Sequence, residues 1–354
     1  MKKQFPEAHP FFDRTMAILS VLAIFGLFID GWAHNHGAVD ETFFTPWHAV
    51  LYGAYGLLAL TLAGTHFYYT SKGYAFSHAL PQGYRLSLIG AGIFILGGVG
   101  DAIWHELFGF EENIEILISP THIVLFAAYI MILFGNIYAR WSRPQVLRGW
   151  SQLWDVAFLW LAVFSVMTFV TQYAHYLHAL EYLTGDFINP RNIWIYNEFG
   201  ATSFLLTSII VTSVWLIMAR RWQLPFGILT FLIGSNTFLM AGMVINDYGD
   251  FNSEWAGIVT LMAVGAVGTL IADAVVYYLK PSPHRLKHMY LSAFLMPTIV
   301  TLGFILSVNT FGQLAFGDDL WWSTHLIIGL PVSAGSLGLF LALMMYPPAV
   351  PQEY

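Results

Sequence analysis

The segment 15–33, TMAILSVLAIFGLFIDGWA, decides the fold class of the chain. Its 19 residues include one charged side chain, Asp30, and roughly 20 apolar residues are needed to cross a bilayer core of about 30 Å. Nine similar runs follow, at about 47–68, 84–104, 119–139, 153–177, 199–219, 225–246, 255–279, 288–308 and 323–345. Because these runs are long and do not alternate in hydropathy, we expect an all-α, polytopic membrane protein of about ten transmembrane helices rather than a barrel.

The composition supports the same class and excludes several functions. Of the 354 residues, 57% are hydrophobic and 10% are charged, which is far more apolar than a soluble domain. Cysteine is absent, so the chain has no disulfides, thiolate metal sites, iron–sulfur clusters or covalently attached haem. The net charge of −7 argues against nucleic acid as a partner, and the lipid bilayer is the partner we expect.

The basic residues predict the orientation in the membrane. In a ten-helix arrangement 13 of the 14 Lys and Arg residues fall on one side, and Arg191 falls on the other. The positive-inside rule then places both termini in the cytoplasm of a cell (inner) membrane. The 13 are Lys2, Lys3, Arg14, Lys72, Arg85, Arg140, Arg143, Arg148, Arg220, Arg221, Lys280, Arg285 and Lys287.

Two hairpins facing the opposite, extracytoplasmic side resemble each other. One reads DGWAHNHGAVDETFFTPWHAVLYGAY from Asp30, and the other reads DAIWHELFGFEENIEILISPTHIVLFAAY from Asp101. Each has Asp, His four residues later, an acidic loop, and Thr or Ser followed by Pro-x-His. Self-similarity of this kind predicts an internal repeat. We therefore expect duplicated metal-binding hairpins of four helices in residues 1–140, with six further transmembrane helices of the same membrane domain, also hairpins, in 141–354.

The spacing of these residues is typical of a metal site. Positions four apart share one face of a helix, and proline suits the first helical turn, so Pro46 and Pro120 place a histidine near each Asp/His pair. One carboxylate and two imidazoles suit copper, zinc or non-haem iron. The predicted ligands are Asp30, His34 and His48 in the first hairpin, and Asp101, His105 and His122 in the second.

These motifs resemble those of a known family. GDAIWHE…SPTHIV and DETFFTPWH are similar to the copper-binding segment of the C subunit of the particulate methane and ammonia monooxygenases. The resemblance covers about residues 28–130. It implies that the two Asp/His/His sets match two copper triads of that subunit. It further implies that Glu111 and Glu112, which stand six and seven residues after His105, orient ligands.

The resemblance implies a function for the chain. We expect a subunit of a copper-dependent monooxygenase that hydroxylates a small substrate with O2 at metal sites on the extracytoplasmic side, associated with other membrane or extracytoplasmic subunits. The alternative is a copper-handling protein, or an accessory subunit of a respiratory complex without catalytic activity. Zinc and non-haem iron remain the alternatives to copper.

Overall fold

The fold is entirely α-helical wherever the structure describes it. The computed structural model describes residues 5–38, 45–109, 114–144, 147–178, 193–245, 253–315 and 324–347. No strand occurs in these ranges, which confirms the expected all-α class. The helices are α1 (Pro10–Asn35), α2 (Pro46–Ser71), α3 (Tyr84–Phe108), α4 (Glu115–Ile118), α5 (Pro120–Trp141), α6 (Trp150–Val170), α7 (Ile193–Arg221), α8 (Ile228–Val244), α9 (Ser253–Leu279), α10 (Leu286–Ala315) and α11 (Thr324–Met345).

Nine of the helices in the described ranges are long and apolar enough to cross a membrane. They are α1, α2, α3, α5, α6, α7, α9, α10 and α11. The tenth expected span, 225–246, is present as the shorter apolar helix α8, whose 17 residues reach roughly 26 Å at a rise of about 1.5 Å per residue. It is short because Gly227 precedes it in the left-handed conformation and Ile245 is already extended.

The fifth span also ends earlier than its apolar run predicts. We expected a helix over 153–177, but α6 stops at Val170 and Gln172–Ala174 form a single 3-10 turn. His175 is then extended, and its side chain is buried. The polar residues at the end of the run therefore lie outside the helix, and two of them, Gln172 and His175, are buried within the protein.

The first compact unit comprises residues 1–145 and 152–170, so α6 joins the four long helices of the expected hairpin region. Two glycines explain how closely α3 and α5 approach in it. A Cβ on Gly90 would lie 2.7 Å from the Ala128 carbonyl oxygen, and one on Gly135 would lie 2.5 Å from the Ser87 backbone nitrogen. Small residues of this kind let membrane helices pack backbone to backbone. The two helices of the second hairpin, α3 and α5, are therefore in close backbone contact along their length.

A buried ion cluster holds together the end of this unit that is opposite to the Asp/His pairs of α1 and α3. Asp13 of α1 accepts hydrogen bonds from the Arg143 guanidinium and, at 2.7 Å, from the Tyr84 hydroxyl. Arg140 lies 3.1 Å from the Asp155 carboxylate and 3.6 Å from that of Asp13. Two carboxylates and two guanidiniums therefore cancel in charge, as buried ions must.

The second compact unit comprises residues 146–151 and 171–354 and contains α7 to α11. Gly268 of α9 and Gly303 of α10 meet so closely that a Cβ on Gly268 would lie 2.8 Å from the Gly303 Cα. Tyr176 is stacked between Phe204 and Phe304, with ring centroids 5.2 and 4.7 Å away. This aromatic stack anchors the turn that follows α6 within the second unit.

Candidate metal sites

Both hairpins of the first unit place a histidine by the same local device. Thr45 caps α2, where its hydroxyl accepts a hydrogen bond from the His48 backbone N–H at 3.1 Å. Ser119 caps α5 and accepts one from the His122 N–H at 3.4 Å. Pro46 and Pro120 occupy the first helical position, as their sequence context predicts. The cap fixes the first turn, and the first turn carries the histidine.

The first triad is assembled from α1 and α2. Asp30 and His34 stand four residues apart on α1, and His48 Nε2 lies 3.4 Å from Asp30 Oδ1. His34 Nε2 lies 3.9 Å from Asp30 Oδ2, and the two imidazole centroids are 5.7 Å apart. Asp30 and His48 are buried. The predicted ligands of the first hairpin are therefore brought together.

The second triad is assembled from α3 and α5 in the same way. His105 Nε2 lies 3.5 Å from Asp101 Oδ2, and His122 Nε2 lies 3.5 Å from Asp101 Oδ1. The imidazole centroids are 6.1 Å apart. Asp101 is 2% exposed, so its charge has almost no access to solvent.

The geometry of both triads suits a metal ion. In each, one ligand atom per residue lies within 4.8 Å of the other two. Two ligands that bind one ion at about 2.1 Å with tetrahedral angles are separated by roughly 3.4 Å, which is close to the observed oxygen–nitrogen distances. Asp30 Oδ1 is buried and accepts no hydrogen bond from the described residues. A buried carboxylate oxygen in this state is costly, and a cation would stabilise it.

Neighbouring polar groups hold the second triad in place. Thr121 donates a hydrogen bond of 2.7 Å to Asp101 Oδ1. The Ser119 hydroxyl lies 2.9 Å from His122 Nδ1, and the Gly109 carbonyl lies 3.4 Å from His105 Nδ1. Partners on Nδ1 leave Nε2 of each imidazole directed at the shared centre, which is how proteins orient metal-binding histidines.

The sequence did not identify these three supporting groups. The available signal was the Ser-Pro-Thr-His run itself, in which Ser119 is a typical helix cap. The resemblance implies that Glu111 and Glu112 orient ligands, but both lie outside the described residues.

Residues of both triads line one cavity of about 60 Å³. Asp30, His34 and His48 of the first triad contribute to it, as do Asp101 and His122 of the second. The remaining lining is mainly apolar, with Leu27, Leu51, Tyr52, Phe94, Leu125, Phe126 and Phe169 among the residues that contribute. The two candidate sites are therefore neighbours at one end of the first unit.

Fold and site together define a class: an all-α polytopic membrane protein that has, among its described residues, two Asp/His/His groups that could hold metal ions. No family model, curated protein or solved structure matches the chain. The function must therefore be inferred from the site.

Proposed function

We propose that the chain is a subunit of a copper-dependent membrane monooxygenase that hydroxylates a small substrate. One observation carries the proposal: two Asp/His/His triads open into the same small apolar cavity. A metal-storage site needs ligands but has no use for an apolar chamber between two of them. Oxidation of a small molecule needs both.

The six ligand residues have defined roles in this proposal. The first ion is held by Asp30, His34 and His48, and the second by Asp101, His105 and His122. Copper is favoured because imidazole ligands suit it and because it binds most tightly among the divalent first-row metals. Zinc and non-haem iron are the alternatives that metal analysis separates from copper. Glu111 and Glu112 are proposed to orient the ligands of the second ion.

The reaction balances as RH + O2 + 2 H⁺ + 2 e⁻ → ROH + H2O. Bound copper supplies O2 binding and electron transfer. The protein residues exclude water and hold the ligands: the cavity walls are apolar, and the Ser119 hydroxyl partners His122 Nδ1 so that its Nε2 faces the cavity. Thr121 fixes Asp101 through Oδ1, which leaves Oδ2 directed at His105.

The electrons require a donor outside this chain. Without cysteine, the sequence offers no thiolate-bound cluster and no covalent haem through which electrons could arrive. We therefore propose stable association with other membrane or extracytoplasmic subunits, or reduction by a quinol from the bilayer. In the proposed orientation both termini are cytoplasmic, in the inner membrane, and the triads face the extracytoplasmic side.

Elemental analysis of protein purified without chelator tests the metal. We expect up to two copper ions per chain, one for each triad. His105→Ala and His122→Ala should each lose the second ion, whereas the control His78→Ala, a half-buried histidine outside the triads, should lose none. Zinc alone in the parent protein, or equal metal in all three variants, would contradict the assignment.

Oxygen uptake separates the enzyme from its alternative. In lipid discs with its co-purifying subunits and quinol, the chain should consume oxygen only when a small substrate is present, and His122→Ala should abolish this. Copper that is retained and exchanged with an acceptor protein, with no substrate-dependent uptake, would identify a copper-handling or accessory subunit instead.

A further inference from the structure

A second, much larger space lies next to the metal cavity. It is an open groove of about 1170 Å³ whose lining residues all belong to α2 and α3. Small side chains form much of its floor, including Gly56, Ala59 and Ala63 of α2 and Ala91 and Gly92 of α3. Both helices qualify as membrane spans, so the groove lies along their membrane-spanning lengths.

Three aromatic residues line both spaces and form the wall between them: Tyr52, Tyr55 and Phe94. Tyr55 and Phe94 are fixed. Their rings stack with centroids 3.9 Å apart, and the Tyr55 hydroxyl donates a hydrogen bond to the Ala91 carbonyl. This part of the wall is held by α2 and α3 together.

Tyr52 completes the wall and lies beside the first triad. Its ring lies 5.9 Å from His48 of the first triad and 6.1 Å from Phe94, edge-on to both. It occupies the space over Gly98, where an added Cβ would lie 3.1 Å from a ring carbon of Tyr52. The Tyr52 ring, which packs against Gly98, therefore lies between His48 and the groove.

We propose that Tyr52 is a gate through which small, uncharged, apolar molecules pass from the bilayer into the metal cavity. Apolar solutes concentrate in the bilayer, and the cavity walls favour them in turn. The cavity of about 60 Å³ admits only a molecule of a few heavy atoms. Charged molecules are excluded, because crossing an apolar groove strips their hydration. This inference rests on the proposed function, for which it names the route taken by the substrate.

A thiol-labelling experiment on metal-free protein tests the gate. The native chain has no cysteine, so Leu125→Cys places a single thiol on the cavity wall, on α5, at a position that does not line the groove. The protein in lipid discs is treated with methyl methanethiosulfonate, which is small and neutral, or with its charged trimethylammonium-ethyl analogue. Mass spectrometry gives the rate of modification. We expect the neutral reagent to react and the charged reagent to react at least roughly tenfold more slowly.

Variants separate the gate from other routes. Tyr52→Ala should accelerate neutral labelling by roughly tenfold. Gly56→Leu with Gly92→Leu should slow it by a similar factor, because both glycines line the groove and an added Cβ would meet nothing within 4 Å. Gly53→Leu is the matched control: it also adds a side chain to open space on α2, but it does not line the groove, so labelling should not change.

Two results would overturn the proposal. One is equal labelling of the groove-filled variant and the Gly53→Leu control, which would place the route elsewhere. The other is equal reaction of the charged and neutral reagents, which would indicate an aqueous route. Circular dichroism of each variant checks that the helices are retained. Because no metal is present, failure of the gate leaves metal binding untouched, and the elemental analysis of the triads fails or succeeds independently.

Discussion

The hydroxyl of Thr121 offers a selective perturbation of one metal site. Thr121→Val removes the hydrogen bond of 2.7 Å to Asp101 Oδ1 and replaces the side chain by one of nearly the same shape. In the first hairpin the equivalent position before the histidine is Trp47, which has no such hydroxyl. The substitution should therefore weaken the second site and leave the first unchanged.

Two separate arguments give a similar free-energy cost for Thr121→Val. Loss of a group that orients a metal ligand typically lowers metal affinity by about 10- to 100-fold, which corresponds to about 1.4–2.7 kcal/mol. A hydrogen bond to a charged acceptor contributes about 1.5–3 kcal/mol. Asp101 is only 2% exposed, so water cannot replace the lost donor readily. We therefore expect a loss of one to two orders of magnitude at this site.

Competition with a chromophoric chelator measures the effect. The purified protein is titrated with Cu²⁺ in the presence of the chelator, and the data are fitted with two binding constants. Thr61→Val is the matched control, since the Thr61 hydroxyl on α2 donates a hydrogen bond to the Leu57 carbonyl of its own helix and lies outside both triads. The parent and the control should give the same two constants, whereas Thr121→Val should weaken one of them.

Two outcomes would refute this reasoning. Equal weakening of both constants would mean that the triads do not bind separately. Unchanged binding in Thr121→Val would mean that Asp101 is not a ligand, or that its orientation does not depend on the threonine.

Three further predictions concern stability and topology. Asp13→Ala should destabilise the chain by about 3–5 kcal/mol in detergent unfolding, because it removes the buried carboxylate that pairs with the half-buried Arg143 and the buried Arg140; a loss below about 1 kcal/mol would show a solvated pair. A cysteine at Ala38 should react with a membrane-impermeant reagent in intact cells and one at Lys72 should not; the reverse pattern would invert the topology. Burial lowers the pKa of His175 from 6.5 to about 3. Between these two pH values the unfolded chain binds a proton at His175 and the folded chain does not, so stability should fall as pH drops from 6.5 towards 3. His175→Phe should flatten that slope, and an unchanged slope would assign it to other groups.

The helices could be predicted from the sequence because hydropathy alone determines them. A run such as 15–33 has no stable alternative to a helix in lipid, where every backbone group must be paired within its own segment. The ends of the helices are harder to predict from the sequence. Val170 ends α6 although the apolar run continues, because the following turn buries His175 and Tyr176 by packing that no local pattern encodes.

The two Asp/His/His triads could be predicted because their residues are close in sequence and regular in spacing. Asp30 and His34 lie on one helical face by periodicity, and Pro46 marks where the next helix begins. The shared cavity and its Tyr52 wall could not be predicted. They depend on the distance at which α1, α2, α3 and α5 pack, and that distance is set by glycines such as Gly90 whose partners are remote in sequence.

The ligands of each triad are near neighbours along the chain, and this bears on how the protein is made. Asp30 and His48 are 18 positions apart, and Asp101 and His122 are 21 apart. A short loop costs little entropy to close, so each Asp/His/His group can be complete once the two long helices that carry it have entered the membrane. Both can therefore form while α7 to α11 are still unsynthesised. A cell that loads metal during translation meets an open, newly inserted hairpin, whereas one that loads it afterwards must deliver the ion into a finished bundle.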